Sequence, residues 1–349
     1  MRRLLLVMVI ASIGALALLA TGCGDTTTVD EGPITVAENR TGAGNPDARA
    51  AADPDVPETP DGSRVVRIAV VTHGQASSPF WAIVRNGVEA AGRQMDVVID
   101  YKAPDVYSLD DMTNLIDDAV ASRPDGLVVS LPEPGLAVGI RRAVAAGIPV
   151  VTINSGSDMY KKLGALAHVG QPEGDAGFKA GQRLVRAGVK RAVCVNLLIA
   201  NQGLDARCAG LARAMRAAGG TSKVVRIDDQ DAGAPKRIAA AVKAADADGA
   251  LAMNATSGLA ASKGLAGKGV TLGTFDLGPD VLKAVKAGTI AFAVDQQAYL
   301  QGYLPVVFLA QWARYGLFPA QGDVIPTGPN FVTKANADQA MELSARSIR

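Results

Sequence analysis

The chain has 349 residues, 48 % hydrophobic and 20 % charged, with a formal net charge of +1. That is enough length for two domains of ordinary size and enough apolar content for real cores. The balanced charge, with no dense Lys/Arg run, excludes a nucleic-acid-binding protein. Two histidines and three cysteines leave no paired metal-ligand spacing, so neither a metal nor a cofactor is expected.

Arg2 and Arg3 give a positive start, and residues 4–20 are almost unbroken apolar, the pattern of a secretory signal. The segment Ala20-Thr21-Gly22-Cys23 resembles a bacterial lipobox. On that reading residues 1–23 are a lipoprotein signal peptide and Cys23 is lipidated, holding the protein at the extracytoplasmic face of the bacterial cell membrane. A signal anchor, or an ordinary cleaved signal with an incidental Cys23, are the alternatives. Residues 24–64 are rich in Thr, Gly, Pro, Asp and Ala with almost no large apolar side chains, so they are expected to form a flexible tether.

From residue 65 the pattern alternates. β-branched runs predict strands at 66–72, 97–102, 126–130, 149–153 and 165–169. Amphipathic stretches predict helices between them at 79–95, 109–122 and 134–146. A second series follows, with strands at 192–198, 223–227, 249–253, 270–275 and 290–294. Its helices are expected at 174–187, 204–218, 234–245, 256–266 and 278–287. Alternating units of this kind predict an α/β protein of two doubly wound parallel-sheet lobes with right-handed crossovers. The stretch 297–315 reads as an apolar packing helix kinked by Pro305, and Gln301, Gln311 and Arg314 argue against a membrane span. The tail from Phe318 reads as extended and turn-rich, with Pro319, Pro326 and Pro329.

The loop after the first strand carries most of the chemistry. Pro79 suits the first helical turn, which places Phe80 and Trp81 at the mouth of the loop. Ligands of open α/β sheets bind beyond the carboxyl ends of strands. Two aromatics beside several hydroxyls suit a molecule with apolar faces and polar edges.

Several pieces then occur in a fixed order: Ser78-Pro79-Phe80-Trp81; Ala146-Gly147-Ile148-Pro149-Val150-Val151-Thr152-Ile153-Asn154; Asn254 at a strand end; Gly273-Thr274-Phe275-Asp276; and Val294-Asp295-Gln296 before Gly302. In this set the chain resembles the periplasmic sugar-binding proteins of ABC importers, of the type I, ribose-binding-like class, over residues 65–334. The resemblance implies two lobes joined by a three-segment hinge, with crossings near 167–170, 295–297 and 325–328. The N-terminal lobe is then 65–168 with 298–325, and the C-terminal lobe 169–296 with 327–349. It implies a monosaccharide or polyol ligand held between the lobes, ABC permease transmembrane subunits as partners, and a monomeric protein.

Phe80 and Trp81 match the family's stacking pair, with Phe80 favoured by position. Ordinary packing of the first helical turn is the alternative. Ser78 stands where many relatives have Asn, and His73 either bonds the ligand or is a solvated loop residue. Asn154 and Ser155 replace the Asp-Arg pair of ribose binders, which removes the Arg fork for vicinal hydroxyls and puts ribose itself in doubt. Asp205 either accepts ligand hydroxyls or favours the helix dipole, and Arg207 is read as structural. Asp276 is expected to accept two hydroxyls or cap the next helix, and Asn254 to reach the same mouth. Gln296 matches the family's hinge-adjacent Gln. Asp229 and Asp231 are read as solvent-facing. Cys194 and Cys208 form either a disulfide or two small buried hydrophobes.

No G-x-S-x-G elbow, Walker loop or dinucleotide fingerprint follows a strand, so an enzyme is not expected. The reading is an extracytoplasmic solute-binding lipoprotein that delivers its ligand to an ABC permease. A ligand-binding sensor for a membrane receptor and a lipid-anchored sugar-modifying enzyme are the alternatives.

Overall fold

A computed structural model describes residues 64–74, 78–196, 201–227, 232–319 and 323–349. The expected signal with Cys23, the expected tether up to residue 63, and the loop carrying Asp229 and Asp231 lie outside the described residues. The first series runs β1 (Arg67–Val71), α1 (Pro79–Gln94), β2 (Val98–Lys102), α2 (Leu109–Ala121), β3 (Gly126–Ser130), α3 (Ala137–Ala145), β4 (Val150–Ile153), α4 (Tyr160–Leu163) and β5 (Ala167–Gly170). The second runs α5 (Glu173–Arg186), β6 (Arg191–Asn196), α6 (Gln202–Ala217), β7 (Thr221–Arg226), α7 (Ala234–Ala244), β8 (Gly249–Ala252), α8 (Ala255–Leu265), β9 (Thr271–Phe275), α9 (Pro279–Ala287) and β10 (Phe292–Asp295). The chain ends with α10 (Ala298–Tyr315), β11 (Val324–Pro326), β12 (Asn330–Val332) and α11 (Ala337–Ala345).

These strands form two sheets, ordered β11-β5-β4-β3-β1-β2 and β12-β10-β9-β8-β6-β7. Every pairing is parallel except β12 on β10. Strand residues alternate between faces, so each sheet supports two cores. In the N-terminal lobe Ile68 and Val70 join the cluster under α1 and α10, while Ala69 and Val71 join the one under α2 and α3. In the C-terminal lobe Val193 and Val195 face one cluster, and Ala192 and Cys194 the other.

The chain passes between the lobes three times: between Gly170 and Glu173, between Asp295 and Ala298, and between Pro326 and Asn330. β5 stays in the first sheet through Gly170, two residues beyond the expected boundary at His168, because Val169 pairs with both Ile153 and Ile325. The tail is less extended than its prolines suggest, since Ala337 and Ala340 of α11 bury against the C-terminal lobe.

α10 returns to the N-terminal lobe and covers its sheet with Val306, Leu309 and Ala310. It runs through the buried Pro305 as one helix. Its close contact with α1 requires glycine: a Cβ on Gly302 would lie 2.0 Å from the Val84 carbonyl oxygen. Among the described residues no helix is long and apolar enough to cross a membrane.

Candidate functional site

Both sheets point their carboxyl ends toward the crossings, and the candidate residues gather there. α1 begins at Pro79 behind an extended Ser78, whose side chain makes no capping bond. Successive helical residues diverge by about 100°, so Phe80 and Trp81 cannot share a direction. Trp81 follows the buried line of Val84 and Val88 and is 9 % exposed, its ring over Gly74 and meeting the His73 ring edge-on with centroids 4.7 Å apart. Phe80 follows Ile83 instead, and both border a small cavity whose opposite wall is Asp276 and Leu277. Phe80 is therefore the aromatic that faces the C-terminal lobe, and Trp81 is its support.

Asp276 directly follows β9 with φ of 65°, and Asn154 directly follows β4, the equivalent strand of the other lobe, with φ of 62°. Asn and Asp tolerate this left-handed backbone better than other side-chain-bearing residues. Gln296, on the second crossing, links the two. Its Nε2 donates to Asp276 Oδ1 at 2.6 Å, and its Oε1 accepts from Asn154 Nδ2 at 3.4 Å. Gln301 completes the node. Its Oε1 accepts from Asn154 at 3.2 Å, and its Nε2 donates to Gln296 Oε1 at 3.0 Å and to Thr327 Oγ1 at 3.2 Å. One buried amide thus touches the N-terminal lobe and two of the three crossings. Asp295, beside it, accepts from Arg349 Nε at 2.6 Å.

Burial pushes the Asp276 carboxyl up to about 6, although the Arg207 guanidinium and the Gln296 bond pull the other way. Arg207 is buried behind the site. It forks onto Glu173 through Nε at 2.5 Å and Nη2 at 2.7 Å, gives Nη1 to the Met253 carbonyl at 2.9 Å, and lies over the Phe275 ring. The structural role expected for it has Glu173 as its partner.

The remaining candidates are drawn to local partners. His73 is not a solvated loop residue: its backbone N–H and Nδ1 both meet Ser130 Oγ, and its ring lies between Trp81 and Tyr107. Burial lowers its pKa to about 3, so the imidazole is neutral. Asp205 stands in the first turn of α6, accepting from Asn196 Nδ2 at 2.8 Å and pairing with Arg226. Asn254 caps α8, its Oδ1 accepting from the Ser257 N–H at 2.7 Å in a capping box. Ser155 donates to Asn154 Oδ1. Cys194 and Cys208 are joined as a disulfide between β6 and α6, with Cα atoms 5.7 Å apart.

Across the cleft the lobes touch directly. The Gln202 N–H donates to the Pro132 carbonyl at 3.2 Å, and a Cβ on Gly203 would come within 3.2 Å of Ser155 Oγ. Sequence reasoning passed over Gln301, Thr327 and Glu173 as site residues. Gln301 carried a usable signal, an amide within an apolar helix, whereas the other two show their role only through partners distant in sequence. Among the described residues no cluster of three or more His, Cys, Asp or Glu could hold a metal ion.

The family model described as the periplasmic binding protein domain matches residues 68–316. Among solved structures the chain is similar to a carbohydrate transporter from Acidothermus cellulolyticus in complex with myo-inositol. The two are 32 % identical with a TM-score of 0.76, over 82 % of this chain and 100 % of that one. An ABC transporter solute-binding protein from Burkholderia graminis, in complex with D-arabinose, is 24 % identical with a TM-score of 0.69, over 78 % of this chain and 96 % of that one. By sequence, the xylose/arabinose-binding protein XylF of Sulfolobus acidocaldarius is 24 % identical over 306 residues, 80 % of this chain and 73 % of that protein.

Proposed function

The chain belongs to the periplasmic binding protein family, whose members are solute-binding proteins and not enzymes, and from that premise we propose that it captures an uncharged monosaccharide or cyclic polyol between its lobes and delivers it to an ABC permease. The observation that carries this reading is Phe80 facing the Asp276–Gln296 pair across the cleft. An aromatic face takes the C–H side of a ring, while a carboxylate and an amide take its hydroxyls. A carboxylate acceptor, with Arg207 behind it forked onto Glu173 and Arg349 at the cavity paired with Asp295, favours a neutral ligand over a sugar acid or phosphate. The myo-inositol bound by the relative of 32 % identity makes ring polyols the first class to test.

Capture works by closure. An open form admits the ligand, both lobes then contact it, and its higher affinity for the closed form shifts the population. Gln296 suits this task because it stands on a crossing strand and touches groups from both lobes. The protein acts as a monomer, anchored outside the cytoplasm through Cys23.

Thermal unfolding measured against a panel of pentoses, hexoses and inositols tests the reading. A ligand bound only by the native state raises the melting temperature with concentration. At least one neutral polyol should do so, and Phe80→Ala should abolish the shift. A panel without any shift, or a shift that Phe80→Ala leaves intact, contradicts the reading.

A further inference from the structure

The end of the N-terminal lobe opposite the cleft carries an apolar and basic surface that sugar capture does not use. The amino ends of β1, β2 and β3 meet the carboxyl ends of α1 and α10 there. Arg314 Nη2 donates to the Asp96 carbonyl at 2.9 Å, Arg64 pairs with Asp125, and the Leu309 side chain packs on Gly126. At this end Tyr315 is 66 % exposed and Leu317 62 %, beside the half-buried Trp312 and Phe318, whose rings meet edge-on. Val98 at the start of β2 is 52 % exposed. Three of the seven large apolar side chains that are exposed among the described residues therefore belong to one end of one lobe.

Two further features say what this end meets. Its charge is basic: Arg64, Arg67, Arg93, Arg123 and Arg314 outnumber Asp96, Asp118 and Asp125. The chain leading back to Cys23 also leaves from here, at Arg64, the first described residue. Trp and Tyr favour the headgroup level of a bilayer, where one side of the ring is apolar and the other wet. Basic residues near the surface of an anionic leaflet add attraction. A chain attached at this end also raises the local concentration of membrane for this face more than for any other.

We propose that the surface around Trp312, Tyr315 and Leu317 is a membrane-interface face, which seats the N-terminal lobe on anionic lipid between deliveries, with the cleft turned away from the bilayer until the protein leaves this seat for the permease. The proposal rests on the lipid-anchor reading of Cys23. A second, weaker membrane signal of this kind supplements a single anchor in the way a basic patch supplements an acyl chain.

The test uses the full chain, isolated with its anchor and reconstituted into vesicles of phosphatidylcholine and phosphatidylglycerol, with and without brominated acyl chains. Flotation reports anchoring, and bromine quenching of tryptophan emission reports contact of Trp312 with the bilayer. Trp81, the other tryptophan, is buried in the lobe near its cleft end and out of reach. The chain should float and be quenched, Trp312→Phe should remove the quenching, and Tyr315→Glu with Leu317→Glu should float without it. A chain that floats with equal emission in both kinds of vesicle overturns the membrane face and leaves the anchor standing. A chain that does not float overturns the anchor and the membrane face together.

Discussion

Gln296 Nε2 donates to Asp276 Oδ1 at 2.6 Å, and the same side chain accepts from Asn154, so a single amide on the hinge joins the ends of two equivalent strands in the two lobes. Any ligand that bonds Asp276 therefore acts on the group that ties the lobes together. Asp276→Asn keeps the shape but removes the charge from the acceptor. Hydrogen bonds to charged groups contribute about 1.5–3 kcal/mol, so sugar affinity should fall roughly ten- to hundredfold by calorimetric titration. The same substitution should raise the melting temperature of the ligand-free protein at pH 8, because it removes a buried charge.

The pH dependence follows from the directions of two shifts. Asp276 is raised to about 6 in the folded protein, above the ordinary carboxylate value of about 3.9. Folded chains then hold more protons than unfolded ones between about pH 4 and 6, and stability falls as pH rises through that window. His73 acts oppositely: lowered to about 3, it contributes stability that is lost as pH drops below about 6.5. The two slopes mask each other in the wild type. The difference in melting temperature between wild type and Asp276→Asn isolates the first: it should widen from pH 4 to 6 and stay level above. Ligand affinity should weaken below pH 6, by up to about tenfold per unit, as the carboxylate is protonated.

Glu173→Gln leaves Arg207 buried without its counter-charge. Breaking one partner of a buried pair destabilises by about 3–5 kcal/mol, which denaturant unfolding would register. Replacing both residues with Met should destabilise far less than the two single changes added together. Additive losses would show that the pair is not a coupled unit.

The disulfide closes a loop with a sequence separation of 14. Loops of that size correspond to about 3 kcal/mol of stabilisation, so Cys194→Ala with Cys208→Ala should lower stability by about that amount. Sugar affinity should change little, since neither sulfur borders the cleft cavity.

Much of this arrangement is legible in the sequence. The β-branched runs mark β1 to β10 within a few residues, because a doubly wound sheet buries strands on both faces and leaves apolar runs between amphipathic helices. Strand ends followed by Asn154, Asp276 and Gln296 point to one mouth, and the structure brings these three side chains together between the lobes. Position alone does not decide where a side chain bonds. Asn254 and Asp205 stand at strand or helix ends as expected, yet each has a local partner, Ser257 or Asn196, that only the folded geometry supplies. The Glu173–Arg207 fork joins residues 34 apart and the Gln301–Thr327 bond residues 26 apart, and no local pattern announces either. α11 was hidden by the prolines before it, although Ala337, Ala340 and Met341 share one face at helical spacing.

Titration of the wild-type protein and Asp276→Asn with myo-inositol and the common pentoses and hexoses, followed by calorimetry at pH 7.5, bears most directly on the sugar-binding cleft. Saturable one-to-one binding of a neutral ring polyol or sugar, weakened at least tenfold in Asp276→Asn while the variant melts at or above the wild-type temperature, is the predicted result. Equal affinity in the two proteins would place the ligand elsewhere than the Phe80–Asp276 cleft and contradict it.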